Sequence, residues 1–264
     1  MQNLKILALQ ANLSWENPKN NRQEFEKRIE LEFDSHNLII LPETFNTGFP
    51  VDPQQFSETI KGPTVRWMRN ISAKYNAVIT GTVLIQAKNN YTNTLIWMQP
   101  DGNYQTYRKR HVFSMGGEHE KITAGTEKLI VELMGWKICP MICYDLRFPV
   151  WSKNTYNENS TFEYDLAIYV ANWPAVRSYP WKTLLRARAI ENQAYVIGVN
   201  RVGTDGQGNR YSGDSAVINP KGMLLKQGGP DKDEALSATL SLDDLINFRN
   251  QFNVGADWDR FTIE

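Results

Sequence analysis

Apolar residues along this chain fall into short runs separated by stretches with helical spacing. Residues 4–10 (LKILALQ) read as a first strand, and residues 19–33 set Phe25, Ile29 and Phe33 four apart, on one helical face. Residues 38–41 (LIIL) are a compact apolar run that ends at Pro42-Glu43, so a buried strand delivers Glu43 at its C-terminal end. Pro63 suits the first turn of a helix, where its missing N–H is harmless, and Met68, Ile71 and Tyr75 continue that helix's buried face. Residues 77–85 and 91–98 predict a hairpin around Lys88-Asn89-Asn90, and Pro100-Asp101-Gly102 turns into a strand over 103–107. The second half keeps the rhythm: strands over 129–134, 136–142 and 165–171, a helix over 179–192, and a strand over 195–200. Residues 215–219 and 223–226 predict a hairpin across Pro220-Lys221-Gly222. Ser241, with Asp244 three residues on, caps a last helix, which an aromatic tail follows. Gly203 to Gly213 contains Gly206-Gln207-Gly208 without a following helix and reads as a loop. With no internal repeat, linker or charge block, the pattern predicts one α/β domain over residues 1–264 whose sheets are mixed.

Composition narrows the partners. The 264 residues carry 29 Lys+Arg and 29 Asp+Glu, a formal charge of zero, which supplies no electrostatic attraction to nucleic acid or to an anionic membrane. No apolar run approaches the ~20 residues that span a bilayer. The apolar stretch near the N-terminus lacks a basic leader segment and reads as a strand. Cys139 and Cys143 are too few and too close for a disulfide framework. A soluble, cytoplasmic protein is expected.

Cys143 closes the apolar run Trp136–Ile142 and precedes Tyr144-Asp145-Leu146-Arg147-Phe148-Pro149. The C-terminal end of a buried strand is where α/β folds place nucleophiles, because backbone N–H groups there face developing negative charge. The alternative is a cysteine that serves as a small core hydrophobe, a role that Cys139, within the strand, fits better. A cysteine acting on an amide also needs a proton acceptor and a group to stabilise the oxyanion. Of the three histidines, His36 lies in a polar helix-to-strand loop and reads as solvated. The basic run Arg108-Lys109-Arg110-His111 reads either as a solvated turn or as the source of a pocket lysine. Glu43, the one acidic residue between Leu38 and Gly48, either points to water or supplies the carboxylate that shares this lysine's proton. Arg147 suits a substrate carboxylate or an ion pair with Asp145. Phe113, Asn172 and Trp173 are candidate pocket walls, with core packing as the alternative for Trp173.

Three segments then occur in order: Leu41-Pro42-Glu43-Thr44-Phe45, Tyr107-Arg108-Lys109-Arg110-His111, and Ile142-Cys143-Tyr144-Asp145-Leu146-Arg147-Phe148-Pro149. Together they strongly resemble the nitrilase, or carbon–nitrogen hydrolase, superfamily, and the resemblance runs from the first strand to the C-terminal tail. Phe113-Ser114-Met115-Gly116-Gly117-Glu118, Asn172-Trp173-Pro174, residues 186–192 and Tyr211-Ser212-Gly213-Asp214-Ser215 bring it closest to the omega-amidase branch, which hydrolyses the side-chain amides of 2-oxoglutaramate and 2-oxosuccinamate. The resemblance implies a four-layer αββα sandwich of two mixed sheets flanked by helices. It implies Cys143 as nucleophile, Glu43 as general base, Lys109 as third member of the triad and Glu118, rather than the nearby Glu120, as a supporting glutamate. It also implies the Tyr144 backbone N–H as an oxyanion donor, no cofactor or metal, and a homodimer with residues 252–264 near its interface. Other small amides, N-carbamoyl compounds and nitriles remain possible substrates of the same triad. A catalytically silent dimeric interaction protein is the reading of another class.

Overall fold

The computed structural model describes residues 3–50, 52–88, 90–157 and 161–263. Its strands are β1 (Leu4–Gln10), β2 (Leu38–Ile40), β3 (Val78–Ala87), β4 (Asn90–Met98), β5 (Tyr104–Arg108), β6 (Val131–Leu133) and β7 (Trp136–Ile142). The second half adds β8 (Leu166–Ala171), β9 (Tyr195–Asn200), β10 (Val202–Thr204), β11 (Arg210–Ser212), β12 (Ala216–Ile218), β13 (Leu224–Gln227) and β14 (Glu234–Leu240). One six-stranded sheet runs β14-β1-β2-β3-β4-β5 and the other runs β13-β12-β9-β8-β7-β6. In each, three central strands are parallel, β1-β2-β3 and β7-β8-β9, and the outer strands pair antiparallel.

Strand alternation assigns the layers. Leu4, Ile6 and Ala8 of β1 join a core that also holds Ile138, Met141 and Ile168 of the second sheet. Leu7 and Leu9, one residue out of step, pack with Phe25 and Ile29 of helix Pro18–Glu32 and with Val65, Met68 and Ile71 of helix Pro63–Tyr75. The first sheet is therefore apolar on both faces, one toward the other sheet and one toward helices. Helix Ser178–Asn192 covers the outer face of the second sheet, closely enough that a Cβ at Gly198 would lie 2.5 Å from Leu185. Helix, sheet, sheet and helix make the expected four layers.

Most predicted elements form with ends shifted by one or two residues, and Ser241 caps helix Leu242–Gln251 by accepting from the Asp244 N–H. Asn89 of the expected hairpin and Glu264 of the expected tail lie outside the described residues. Two readings are corrected and one unpredicted strand is added. The segment from Gly203 to Gly213 is not merely a loop, because β10 and β11 pair within it. β14, whose alternation is diluted by Ser237 and Thr239, pairs with all of β1. His36 is 3% exposed: its Nδ1 accepts from the Asp34 N–H and its Nε2 bonds Ser237 Oγ on β14.

Candidate active site

The site gathers where strands of both sheets end. β2 leads through Leu41-Pro42 to Glu43, β5 ends just before Lys109, β7 just before Cys143, and β8 just before Asn172. Gly81 in β3 lets the Glu43 loop close over the sheet, since a Cβ there would lie 2.9 Å from both Leu41 and Phe45. Two residues at the site take left-handed backbone, Thr44 at φ 40° and Cys143 at φ 43°. That conformation costs an L-residue about 1–2 kcal/mol, so the surrounding bonds must hold it.

Asp145 supplies those bonds behind Cys143. Its Oδ2 accepts from the Ile142 N–H at 3.0 Å and from the Tyr107 hydroxyl at 2.7 Å. Its Oδ1 accepts from the His111 N–H at 3.0 Å and contacts His111 Nδ1 at 2.8 Å. The carboxylate thus fastens the turn after β7 to the segment after β5, which carries Lys109. The alternative pairing of Asp145 with Arg147 does not occur; Arg147 lies over the Trp173 ring, 4.9 Å from its centroid. Nor is the basic run a solvated turn: Lys109 is buried and the His111 ring stacks on Phe148 at 3.7 Å.

Lys109 Nζ donates to Glu43 Oε1 at 2.9 Å and to Glu118 Oε2 at 2.9 Å, with Glu118 Oε1 at 3.2 Å. All three side chains are shielded from solvent. Burial opposes the Lys109 charge, but Glu118 and Glu43 outweigh it and hold the ammonium protonated well above the ordinary lysine range. Glu118 also accepts from the Phe113 N–H, which orders the turn over the site, while Glu120 is exposed. Glu43 Oε2 accepts from the Asn172 N–H at 2.7 Å, and Asn172 Nδ2 donates to the Glu43 carbonyl and to Thr44 Oγ1. Cys143 Sγ lies 3.9 Å from the Asn172 carbonyl. Burial and the Glu43 charge push the Cys143 thiol well up, against the opposing pull of Lys109. The resting thiol is protonated and sits beside a carboxylate able to take its proton. Cys139, inside β7, is fully buried, which pushes its thiol up to about 12.

The sequence-predicted site residues therefore converge, with differing neighbours. Asn172 holds Glu43. Tyr144 and Phe113 meet edge to face at 5.1 Å, and Arg177 lies over the Phe113 ring at 5.4 Å. Trp173 is buried, donates Nε1–H to the Arg177 carbonyl and packs on Trp181, so it bridges core and site. Neither Arg147 nor Arg177 forms an ion pair among the described residues. Sequence reasoning missed Asn93 of β4, whose Nδ2 donates to Glu43 Oε1 at 2.8 Å, and Phe49, whose ring lies 5.4 Å from Lys109 Nζ. Asn93 stands between Thr92 and Thr94 in the polar N-terminal half of β4, so no break in an apolar run marked it. An open cavity runs from Glu118 past Phe49 to Gln207. Among the described residues, no group of three or more His, Cys, Asp or Glu side chains is placed to hold a metal ion.

The fold and this buried Glu–Lys–Glu–Cys cluster define a class, and the carbon–nitrogen hydrolase family model matches residues 5–250. The chain belongs to the carbon–nitrogen hydrolase family. It is 42% identical over 263 residues to omega-amidase YafV of Escherichia coli (strain K12), covering 100% of both chains. It is 32% identical over 227 residues to 2-oxoglutaramate amidase of Bacillus subtilis (strain 168), covering 85% of this chain and 86% of that one. Among solved structures, XC1258 from Xanthomonas campestris, a CN-hydrolase superfamily protein with an arsenic adduct in its active site, superposes with a TM-score of 0.97 at 41% identity, covering 100% of both chains.

Proposed function

We propose that this enzyme is an omega-amidase, hydrolysing the side-chain amide of 2-oxoglutaramate or 2-oxosuccinamate to the dicarboxylic 2-oxo acid and ammonia. The observation that carries the amidase chemistry is Glu43 shared between a buried ammonium and a buried thiol at the meeting of the two sheets. Full-length identity to omega-amidase YafV supports the substrate class.

In this reading the Cys143 thiol gives its proton to Glu43 as sulfur attacks the amide carbon. Lys109 Nζ and the Tyr144 backbone N–H face the oxyanion, because both are N–H donors next to the nucleophile and the ammonium adds positive charge. Glu43 returns the proton to the leaving nitrogen, the C–N bond breaks, and ammonia departs from a thioester on Cys143. Water loses a proton to Glu43 and attacks the thioester carbon; the C–S bond breaks and the thiolate recovers that proton. Glu118 keeps Lys109 charged and aimed. Arg147, with its guanidinium laid on Trp173 and no carboxylate partner among the described residues, reads the substrate carboxylate, with Phe113, Asn172 and Trp173 framing the chain between. The protein works as a cytoplasmic homodimer; Phe252, Phe261 and Ile263 of the tail expose apolar surface suited to a subunit contact.

Ammonia release across 2-oxo acid amides, simple aliphatic amides, N-carbamoyl acids and nitriles tests the assignment. The 2-oxo acid amides are expected to show the highest kcat/KM. Preference for another group replaces the substrate, and no turnover of any of them favours a silent interaction protein. Arg147→Met is expected to lower kcat/KM for 2-oxo acid amides about ten- to a hundredfold, the worth of a charge-assisted hydrogen bond, while sparing neutral amides. An equal loss on both would assign Arg147 to holding the site together.

A further inference from the structure

A carboxylate offers about four in-plane lone-pair positions, two on each oxygen. In Glu43, Oε1 accepts from Lys109 Nζ at 2.9 Å and from Asn93 Nδ2 at 2.8 Å, so both of its positions are taken. Among the described residues Oε2 accepts only from the Asn172 N–H, at 2.7 Å, and keeps one position open. Asn93 reaches the site from β4, where Leu84 of β3 opposes it and its carbonyl accepts from the Lys109 N–H. Its own Oδ1 is buried without a hydrogen-bond partner among the described residues. An amide with an unsatisfied oxygen is a poor choice for packing, and its placement is explained by the donor it presents to Glu43.

We propose that Asn93 is a positioning residue for the general base: by occupying Oε1 together with Lys109, it makes Oε2 the oxygen that receives the Cys143 proton. The step is a single transfer, in which the S–H bond breaks, an O–H bond forms at Oε2, and sulfur keeps the electron pair for attack on the substrate carbonyl. A proton on Oε1 would instead confront two donors. The charged and titratable groups that face Glu43 are Lys109 from the end of β5, Glu118 behind Lys109, and Cys143 from the end of β7. Asn93 adds a neutral donor to this set, so it orients the base without changing the charge of the chamber. The inference rests on the amidase reading above, but one of its tests needs no substrate.

Asn93→Asp keeps the size of the side chain and replaces the donor with an acceptor, so that the two carboxylates must share a proton at Oε1. The acid limb of kcat/KM against pH is expected to move up by about one unit or more, with kcat at neutral pH lowered at least about tenfold and recovering in the same sample as pH rises. KM should stay within about twofold, because Asn93 does not touch substrate. Asn93→Ala removes the donor alone and should shift the limb the same way by less. Alkylation of Cys143 by iodoacetamide, followed against pH, should show the same displaced limb, with Glu43→Gln as the control that lacks it. A kcat loss with both limbs at their wild-type pH would make Asn93 merely structural, and a KM rising in step with the kcat loss would place it on the substrate; either result overturns the proposal. If no amide in the panel is turned over, the alkylation profile still decides the role of Asn93 and leaves the substrate question separate.

Discussion

At the scale of single residues, the two cysteines separate cleanly by environment. Cys143 stands in a strained turn beside Glu43, whereas Cys139 is sealed within β7, four residues away. Iodoacetamide at neutral pH is expected to modify one thiol per folded chain, and peptide mapping should find it at Cys143. Cys143→Ala should fold normally and lose turnover by orders of magnitude, because no other group replaces the nucleophile. Substantial turnover in that variant would exclude the thioester route. Cys139→Ser should leave kcat nearly intact and lower stability by about 1–3 kcal/mol, the cost of a hydroxyl in an apolar strand, measured by urea unfolding. Glu43→Gln cannot accept a proton, and Lys109→Ala loses the charge facing the oxyanion, so each should be severely impaired in single-turnover ammonia release. Near-wild-type rates would remove that residue from the mechanism.

At the scale of elements, stability concentrates where loops from the two sheets are tied together. Asp145 is fully buried and holds groups from both the β5 and β7 ends, so Asp145→Ala should cost about 3–5 kcal/mol by urea unfolding and depress activity as well. A change below about 1 kcal/mol would mean that these bonds are replaced by water. His36 links the β1–β2 region to β14 in one protonation state: Nδ1 accepts, so Nε2 carries the proton and donates to Ser237. Burial, with the charge of Lys5, lowers its pKa in the folded chain, against the smaller opposing effect of Asp34. The unfolded chain therefore takes up the proton first as pH falls below about 6.5, and the stability contributed by neutral His36 is lost from there downward. The melting temperature should fall between pH 7 and pH 5, and His36→Gln should flatten that fall. An equal fall in the variant would assign the pH dependence to other groups. The same elements show why His36 looked solvated. Its neighbours Asp34, Ser35 and Asn37 are polar, and its cover comes from the Phe33 ring and from Ser237 of β14, two hundred residues away. β14 itself was hidden because alternation on a half-exposed edge strand is weak, and its place is decided by pairing with β1.

At the scale of the whole molecule, two sheets bring the site together, and the C-terminal tail lies across the outside. Trp258 packs on Phe162 and under Lys153 Nζ at 3.5 Å, while Phe261 and Ile263 stay largely exposed. Phe261→Ser combined with Ile263→Ser is expected to weaken the proposed dimer, seen as a lower sedimentation mass at micromolar concentration, without melting the subunit. An unchanged mass would place the subunit contact elsewhere. Local order was legible in the sequence because strand and helix periodicities, proline positions and the Ser241 cap act within a few residues of themselves. So were the candidate chemical actors, since Glu43 and Cys143 each stand where an apolar strand ends and Lys109 follows a polar one, and resemblance ordered them into a triad. What the tertiary structure alone decided is which groups meet. Asp145 passes over Arg147, two residues away, for Tyr107 and His111; Glu43 binds Asn93 and Asn172 from different sheets; and Trp173 takes Arg147 on its face. Those choices depend on hydrogen-bond geometry over ångströms between segments up to 129 residues apart, which no pattern along one chain encodes.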